Sequence, residues 1–228
     1  MSQVTLITGD AEGADRVFCE YALAKGHVVF SVAGSSRSNF KKNYEEFANF
    51  TDKCYSDAAL QAQQGLVDEA AKNLGRNISA CQPFKKRILQ RNTLQIIKTS
   101  MVIAVSDFER NVLKTEEEGL ATSAVVSKKL KGVGIEGGTA WACQTFVNEK
   151  FLKGKSEGFD GRYLIQLYLF SQKLGIWTQA LLDYRTNEIE WRRLEQPPKI
   201  PAYGYYTGIG ARALTPVGAD AIKCLYTS

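Results

Sequence analysis

Three glycine-rich turns of this chain could bind a phosphate or a carboxylate group. They lie at residues 9–15, 135–142 and 207–212, and each is predicted to connect a strand to a helix. At such a junction the first backbone N–H groups of the helix lack partners within it, and the positive end of the helix dipole lies behind them. An ordinary turn and helix start fits the same pattern. We favour one ligand pocket to which all three turns contribute their glycines: Gly9, Gly13, Gly137, Gly138, Gly208 and Gly210.

Polar side chains in these turns are candidates for further contacts with a ligand. Asp10 and Thr139 lie next to the glycines of the first and second turns. Arg212 ends the third turn and is expected over the carboxyl edge of the sheet, where open α/β sheets bind ligands. Asp15, in the first turn of a predicted helix, could bind a sugar hydroxyl or stabilise its own helix start.

A fourth candidate group lies in the middle of a predicted helix, at Arg91 and Asn92. Arg87 lies four residues before Arg91, so the two arginines are predicted to share a face of the helix. Arginine suits phosphate because its planar guanidinium donates two parallel hydrogen bonds. Arg91 has apolar neighbours, which makes a solvated face a poor description. The alternative to ligand binding is a structural ion pair with a carboxylate of a loop.

The composition excludes several classes of site. The chain has 228 residues, of which 44% are hydrophobic and 23% charged, and this suits one large α/β domain. The only histidine is His27, so neither a zinc site nor a serine–histidine triad is expected. The five cysteines show no C-x-x-C spacing and predict reduced thiols in a cytoplasmic protein. No apolar run reaches the ~20 residues of a membrane span.

The net charge permits binding of nucleic acid, and the aromatic residues permit stacking on a base, but neither feature requires these functions. A net charge of +5 permits binding of nucleic acid, although the basic residues are scattered rather than arranged in a stripe. Aromatic residues could stack on a base or pack in the core: Trp141, Trp177, Tyr203, Tyr205 and Tyr206. Cys143 is expected to be a small buried residue rather than a nucleophile, since no histidine is predicted near it to act as its base.

The elements that must position these residues form a predicted α/β domain over residues 1–228. Strand, helix and strand over residues 4–32 make a βαβ unit, which predicts a parallel sheet. Further predicted helices cover residues 57–74, 83–98, 140–150 and 216–226, and further strands cover 101–105, 163–170 and 203–209. Residues 34–52 are predicted as a loop, residues 109–134 as a loop excursion with a short helix at 120–130, and residues 175–195 as a β-hairpin at the sheet edge.

In combination, four segments resemble motifs of the SMF/DprA–LOG (SLOG) superfamily. Thr8–Asp15 resembles its "SGGA-x-GAD" turn, and Phe84 with Arg91-Asn92 and the strand to Asp107 resembles its "F…RN…s-D-x-v-x-A" segment. Gly137–Gln144 resembles its "GGT-x-x-A" helix start, and Tyr206–Arg212 with Thr215-Pro216 resembles its "GIGSR…TP" turn. The resemblance touches most of the sheet but not residues 35–81 or the hairpin.

The resemblance implies a Rossmann-like three-layer sandwich with a nucleotide pocket. In DNA-processing protein A the "G-x-GSR" turn precedes the "SGGA" turn, whereas here it comes last. This order implies a circular permutation in which the last strand lies beside the first, as in bacterial and phage-associated members whose "GIG-x-R" motif is C-terminal. By the same analogy, we expect the protein to form a homo-oligomer.

One departure from the family concerns catalysis. The LOG-type phosphoribohydrolases carry a glutamate three residues after the threonine of their glycine motif, and that glutamate works with an arginine upstream. Arg91 matches the arginine, but Ala142 occupies the position of the glutamate. Asp10, Glu12 or Glu136 would have to supply the carboxylate that glycosidic cleavage usually needs.

Three functions follow, in order of preference. The first is binding of a nucleotide or a nucleotide-derived phosphate ligand, with no metal and no other cofactor. The second is processing of a nucleotide by an N-glycosidase or phosphoribohydrolase, with Glu12, Glu136 and Arg91 as the catalytic candidates. The third is binding of single-stranded DNA, for which affinity should fall steeply with salt.

Overall fold

The computed structural model describes residues 3–9, 11–33, 41–110, 112 and 129–227 of the chain. The strands are β1 Val4–Gly9, β2 Val28–Ala33, β3 Phe50–Cys54, β4 Met101–Ser106, β5 Arg162–Ser171, β6 Ile176–Asp183, β7 Glu188–Arg193 and β8 Gly204–Gly210. The helices are α1 Ala14–Ala24, α2 Lys41–Tyr44, α3 Asp57–Gln61, α4 Gln64–Leu74, α5 Pro83–Ile96, α6 Thr139–Ser156 and α7 Pro216–Thr227.

These strands form one sheet in the order β3-β2-β1-β8-β4-β5-β6-β7. The neighbours from β3 to β5 are parallel, while β6 is antiparallel to both β5 and β7. The predicted α/β class, with a mainly parallel sheet and an antiparallel hairpin at its edge, is therefore confirmed. The last strand pairs with the first in parallel, with Leu6 opposite Tyr206, as expected from the order of the motifs.

Helices cover both faces of the sheet and complete a three-layer arrangement. On one face α1 and α7 pack around Phe18, Leu6 and Ile222. On the other face α5 and α6 pack around Ile96 and Phe146, and α4 lies against both helices. Apolar strand residues alternate between these two cores, because successive side chains of a strand point to opposite faces.

The predicted hairpin is confirmed at nearly its predicted bounds. Strands β6 and β7 pair from Thr178 opposite Arg193 to Asp183 opposite Glu188. Asn187, in the connecting turn, has φ 56°, a left-handed conformation that asparagine adopts more readily than most residues. Trp191 of β7 is fully buried and donates from its indole Nε1 to the Val133 carbonyl at 2.8 Å.

The prediction of a loop over residues 34–52 is wrong for its second half. Residues 41–44 form α2, and β3 begins at Phe50 and pairs with β2 in parallel, with Val29 opposite Phe50. No side chain of β3 is fully buried, because β3 is the edge strand of the sheet. An edge strand needs no apolar alternation, so the sequence carries no periodic signal for it.

Two helix predictions also need correction. The single helix predicted over residues 57–74 is divided into α3 and α4 at Ala62 and Gln63, both of which are ordinary helix-forming residues that give no sequence signal of a break. The short helix predicted over 120–130 falls mostly outside the described residues. At its end Leu130 forms an isolated β-bridge with Ile189 instead.

None of the helices in the described part of the chain has the length and apolar character that a membrane span requires.

Candidate functional site

A cavity of about 640 Å³ lies at the carboxyl edge of the sheet. It is bounded by the ends of β4 and β8, by the starts of α1 and α6, and by one side of α5. In the sheet β8 lies between β1 and β4. From β1 the chain continues to β2 on one side of β8, and from β4 it continues to β5 on the other side, so the strand order changes direction here. In open α/β sheets this is the position at which ligands bind.

Most of the residues proposed from the sequence meet at this cavity. Its wall includes Asp15, Arg91, Asn92, Glu136, Gly137, Gly138, Thr139, Gly210 and Arg212. Four others do not line it, namely Gly9, Glu12, Gly13 and Gly208. Asp10 lies outside the described residues.

The second glycine turn, at residues 135–142, leaves the start of α6 open to the cavity. Gly137 has φ 68°, a left-handed conformation suited to glycine, and Gly138 follows as the residue that caps α6. A side-chain carbon at either position would meet no atom within 4 Å. Among the described residues, no hydrogen-bond acceptor is found for the backbone N–H groups of Gly138, Thr139 or Ala140. These donors are therefore available to an anion in the cavity.

Arg76, which was not among the residues predicted from the sequence, fixes the conformation of this turn. One guanidinium nitrogen donates to the Gly137 carbonyl at 2.8 Å, and the other donates to the Ile135 carbonyl at 2.9 Å and to Glu109 at 2.7 Å. The helix α4 ends at Gly75 in a left-handed conformation, which turns the chain so that Arg76 points toward the turn. The only sequence signal was an arginine directly after a glycine that ends a helix.

The first glycine turn contributes Asp15 to the cavity, where the carboxylate of Asp15 faces the guanidinium of Arg91. Asp15 Oδ2 lies 3.9 Å from Arg91, and both side chains are less than a tenth exposed. A side-chain carbon at Gly9, at the end of β1, would overlap the Asp15 carboxylate and lie 2.9 Å from the guanidinium carbon of Arg91. Gly9 therefore provides the space in which these two groups meet, and it does so without lining the cavity.

Asn92 is oriented by its neighbour in the chain. Its Oδ1 accepts from Arg91 Nε at 3.2 Å and from a terminal guanidinium nitrogen of Arg91 at 2.6 Å. Because the amide oxygen faces the guanidinium, the amide NH₂ group points away from it. Asn92 lines the cavity, so this arrangement suits donation of a hydrogen bond to a ligand.

The remaining glycines have packing roles that the sequence could not distinguish from ligand contact. Gly13 has φ 89° and lies against the Ala211 and Arg212 carbonyls, and the first N–H of α1 donates to the Ala211 carbonyl at 3.2 Å. A side chain at Gly208 would overlap the ring of Phe18. The third turn thus caps the start of α1, which leaves α6 as the more open helix start.

The carboxylates proposed for catalysis differ in their positions. Glu12 is exposed in the turn before α1 and forms an ion pair with Arg16 at 3.2 Å, away from the cavity. Glu136 lines the cavity and lies 3.0 Å from Lys173 Nζ. Asp107 also lines it, but its Oδ1 accepts from Ser171 Oγ and from the Lys173 backbone N–H, which stabilises the turn between β5 and β6.

One wall of the cavity is apolar. Phe84, Ile88 and Leu89 of α5 form it with Trp141 of α6. Phe84 is 61% exposed, which is unusual for a phenylalanine, whereas Trp141 is buried. The other aromatic residues considered for base stacking, Trp177, Tyr203, Tyr205 and Tyr206, do not line the cavity.

Two cations lie at the mouth of the cavity. Lys85 and Arg212 are exposed, and no carboxylate in the described part of the chain forms an ion pair with either. Arg87, which was expected to share a face with Arg91, pairs with Asp57 and does not line the cavity. The cavity therefore combines positive charge, open backbone donors and an apolar wall.

In the described part of the chain, no cluster of metal-binding side chains is found, and the Cys143 thiol is not activated. Within the described ranges there is no group of three or more histidine, cysteine or acidic residues that could hold a metal ion. Burial raises the pKa of the Cys143 thiol to about 12, so this group stays protonated at neutral pH and is a poor nucleophile.

Comparison of the chain with known protein families, with curated proteins and with solved structures finds no match.

Proposed function

We propose that the protein binds a nucleotide or a nucleotide-derived phosphate ligand in the cavity at the carboxyl edge of its sheet. The observation that carries the proposal is the open start of α6. There the backbone N–H groups of Gly138, Thr139 and Ala140 have no acceptor among the described residues, and Gly138 and Thr139 line the same cavity as Arg91. A phosphate suits this arrangement because it accepts several hydrogen bonds and carries the charge that the helix dipole favours.

The change along α5 from apolar to polar side chains supports a ligand with an apolar ring at one end and a charged group at the other. From Phe84 to Arg91 the helix rises by about 10 Å along the cavity, from an exposed apolar end to a buried polar end. A phosphate at the buried end, near Arg91 and Asn92, would place a flat base near Phe84 and Trp141. Arg212 and Lys85 add positive charge at the mouth.

We further propose that the chain is a circularly permuted member of the SLOG superfamily. Support comes from the pairing of β8 with β1 and from the convergence of residues from all four resembling segments on one cavity. The analogy extends to a cytoplasmic protein that self-associates, although the proposed pocket does not depend on self-association.

The first experiment is native mass spectrometry of the freshly purified protein, followed by denaturation and identification of any released compound. A co-purifying nucleotide supports the proposal and names its class. Isothermal titration with a panel of nucleoside mono- and diphosphates then tests the pocket directly. An empty protein that binds none of the panel would overturn the proposal.

The variant Gly138→Leu is the sharpest test of the site. Gly138 has φ −72° and open space around it, so leucine fits the backbone while its side chain obstructs the start of α6. We expect at least a ~tenfold loss of nucleotide affinity with little change in stability. Gly65→Leu, on the surface of α4 and equally open, is the matched control and should bind normally. Equal affinity of the two variants would refute the assignment.

Arg91→Ala is expected to abolish nucleotide binding. Because Arg91 also pairs with buried Asp15, the variant Arg91→Ala/Asp15→Asn should be tested beside it to separate a loss of binding from a loss of stability.

Arg212→Gln removes an exposed cation and should weaken nucleotide binding, while the free energy of unfolding stays within about 0.5 kcal/mol of the unsubstituted protein.

Glu136 supports a second candidate, a nucleotide N-glycosidase. Glu136 lines the cavity, whereas Glu12 does not. In this case nucleoside monophosphates should release their base, and Glu136→Gln should abolish the release while the affinity for the nucleotide persists. Binding of a nucleotide without release of its base would reject the N-glycosidase and support the first proposal, nucleotide binding.

A further inference from the structure

A second cavity, of about 450 Å³, lies at the opposite edge of the sheet. It is enclosed by the end of α1, the start of β1, the segment 199–202 and the end of α7. The six residues of β1 separate this edge from the carboxyl edge, a distance of about 20 Å. The second cavity is therefore distinct from the proposed nucleotide site.

The only histidine of the chain lines this cavity and is oriented by a buried chain of hydroxyl groups. His27 Nδ1 lies 3.0 Å from the Tyr206 hydroxyl, which lies 2.8 Å from the Tyr226 hydroxyl. Tyr226 in turn donates to the Phe18 carbonyl at 3.5 Å. Because a carbonyl only accepts, donation from Tyr226 to Phe18 favours the neutral His27 tautomer with its proton on Nδ1. His27 Nε2 is then the nitrogen that remains for a ligand, and it can donate a hydrogen bond to an anion only when the ring is protonated.

Positive charge and apolar surface meet in the same space. Lys25 and Lys199 line the cavity, and in the described ranges neither forms an ion pair with a carboxylate. Lys25 follows the end of α1, where a cation is favourable, but Lys199 lies on no helix. Val4, Ile200 and Leu225 provide the apolar surface.

We propose that this cavity is a second binding site, for an organic anion with an apolar body such as a medium-chain carboxylate. The charged group lies between Lys25, Lys199 and the His27 ring, and the hydrocarbon packs on Val4, Ile200 and Leu225. Charge-assisted hydrogen bonds to the lysines supply the polar part of the affinity.

The site has a characteristic dependence on pH. Burial and the charge of Lys25 lower the pKa of His27, so the ring is neutral in the empty protein at neutral pH. The other titratable groups that face it are Lys199, Tyr206 and Tyr226, and burial raises the pKa of both tyrosines, so they stay uncharged. A bound anion favours the protonated ring, which raises the pKa of His27 and strengthens binding as the pH falls.

The single histidine makes a direct experiment simple. In untagged, ¹⁵N-labelled protein the one imidazole gives the only side-chain signals of its kind, and octanoate is titrated against them at pH 5.5 and 7.5. We expect saturable shifts of these signals, tighter binding at pH 5.5, and a raised pKa of His27 in the presence of octanoate. Octanamide, which has the same body without the charge, is the control probe and should bind weakly.

Variants identify the groups responsible. Lys25→Gln/Lys199→Gln should weaken octanoate binding at least ~tenfold, and the surface variant Lys155→Gln should leave it unchanged. The proposal fails if octanoate leaves the imidazole signals unmoved at millimolar concentration. It also fails if octanamide binds as tightly or if the double lysine variant binds normally.

Discussion

Arg91 and Asp15 form a buried ion pair, 3.9 Å apart, that joins helices from opposite faces of the sheet. Asp15 belongs to α1 on one face, and Arg91 belongs to α5 on the other. They meet over the end of β1, where Gly9 has no side chain to separate them. Since the pair lines the proposed nucleotide pocket, the charge of Arg91 is partly balanced before any ligand enters. Asp15 therefore positions Arg91 as well as facing the cavity.

Gly9→Ala should destabilise the protein because the added carbon would push Asp15 and Arg91 apart. We expect the free energy of unfolding to fall by about 1–3 kcal/mol, the usual cost of overpacking a buried site. Urea unfolding measures this change. Gly65→Ala on α4, where a side chain meets nothing, should preserve stability or raise it by up to ~1 kcal/mol. If the two variants are equally stable, the space above Gly9 does not constrain the ion pair.

Arg76→Lys should weaken nucleotide binding although Arg76 does not line the cavity. A single ammonium group cannot reproduce the donation of one guanidinium to Gly137, Ile135 and Glu109, so the turn before α6 would lose its fixed shape. We expect affinity to fall at least ~tenfold in isothermal titration. Arg185→Lys, which changes an exposed arginine on the hairpin, is the control. Unchanged affinity for Arg76→Lys would show that the turn is fixed by other contacts.

Ligand binding should protect one cysteine from alkylation. Cys81 lines the proposed nucleotide pocket and is half-buried, whereas Cys54 and Cys224 are exposed elsewhere. Burial raises the pKa of Cys19 and Cys143 to about 12, so these thiols should stay unmodified in the native protein. With iodoacetamide and peptide mass spectrometry, a saturating nucleotide should slow the reaction of Cys81 alone. Equal slowing at Cys54 and Cys224 would indicate a general effect on the protein instead.

The stability of the protein should depend on pH through His27. Its pKa in the folded protein lies below the ordinary value of 6.5, because burial and Lys25 disfavour the charged ring. The unfolded chain therefore binds the proton more readily, so the contribution is complete above 6.5 and is lost as the pH falls toward the folded pKa. Urea unfolding between about pH 5.5 and 7.5 should show this loss. His27→Gln should remove it, and an identical slope in that variant would assign the effect to other groups.

Much of the sheet could be predicted because its central strands carry local signals. Residues 4–9 and 101–106 are short apolar runs that end at polar or glycine turns, as buried parallel strands require. The edge strand β3 was missed for the converse reason, since none of its side chains is fully buried and they show no apolar alternation. The role of Arg76 was missed because its acceptors lie about 60 residues away in the chain.

The sequence by itself determined the fold class, the positions of the three glycine turns and the expectation that they converge at one edge of the sheet. Only the tertiary structure decided which glycines face open space. Gly138 and Gly208 give the same signal in the sequence, yet a side chain at Gly138 would enter the cavity and one at Gly208 would overlap Phe18. The physical reason is that glycine permits close approach of any group, and the group that approaches comes from a distant part of the chain.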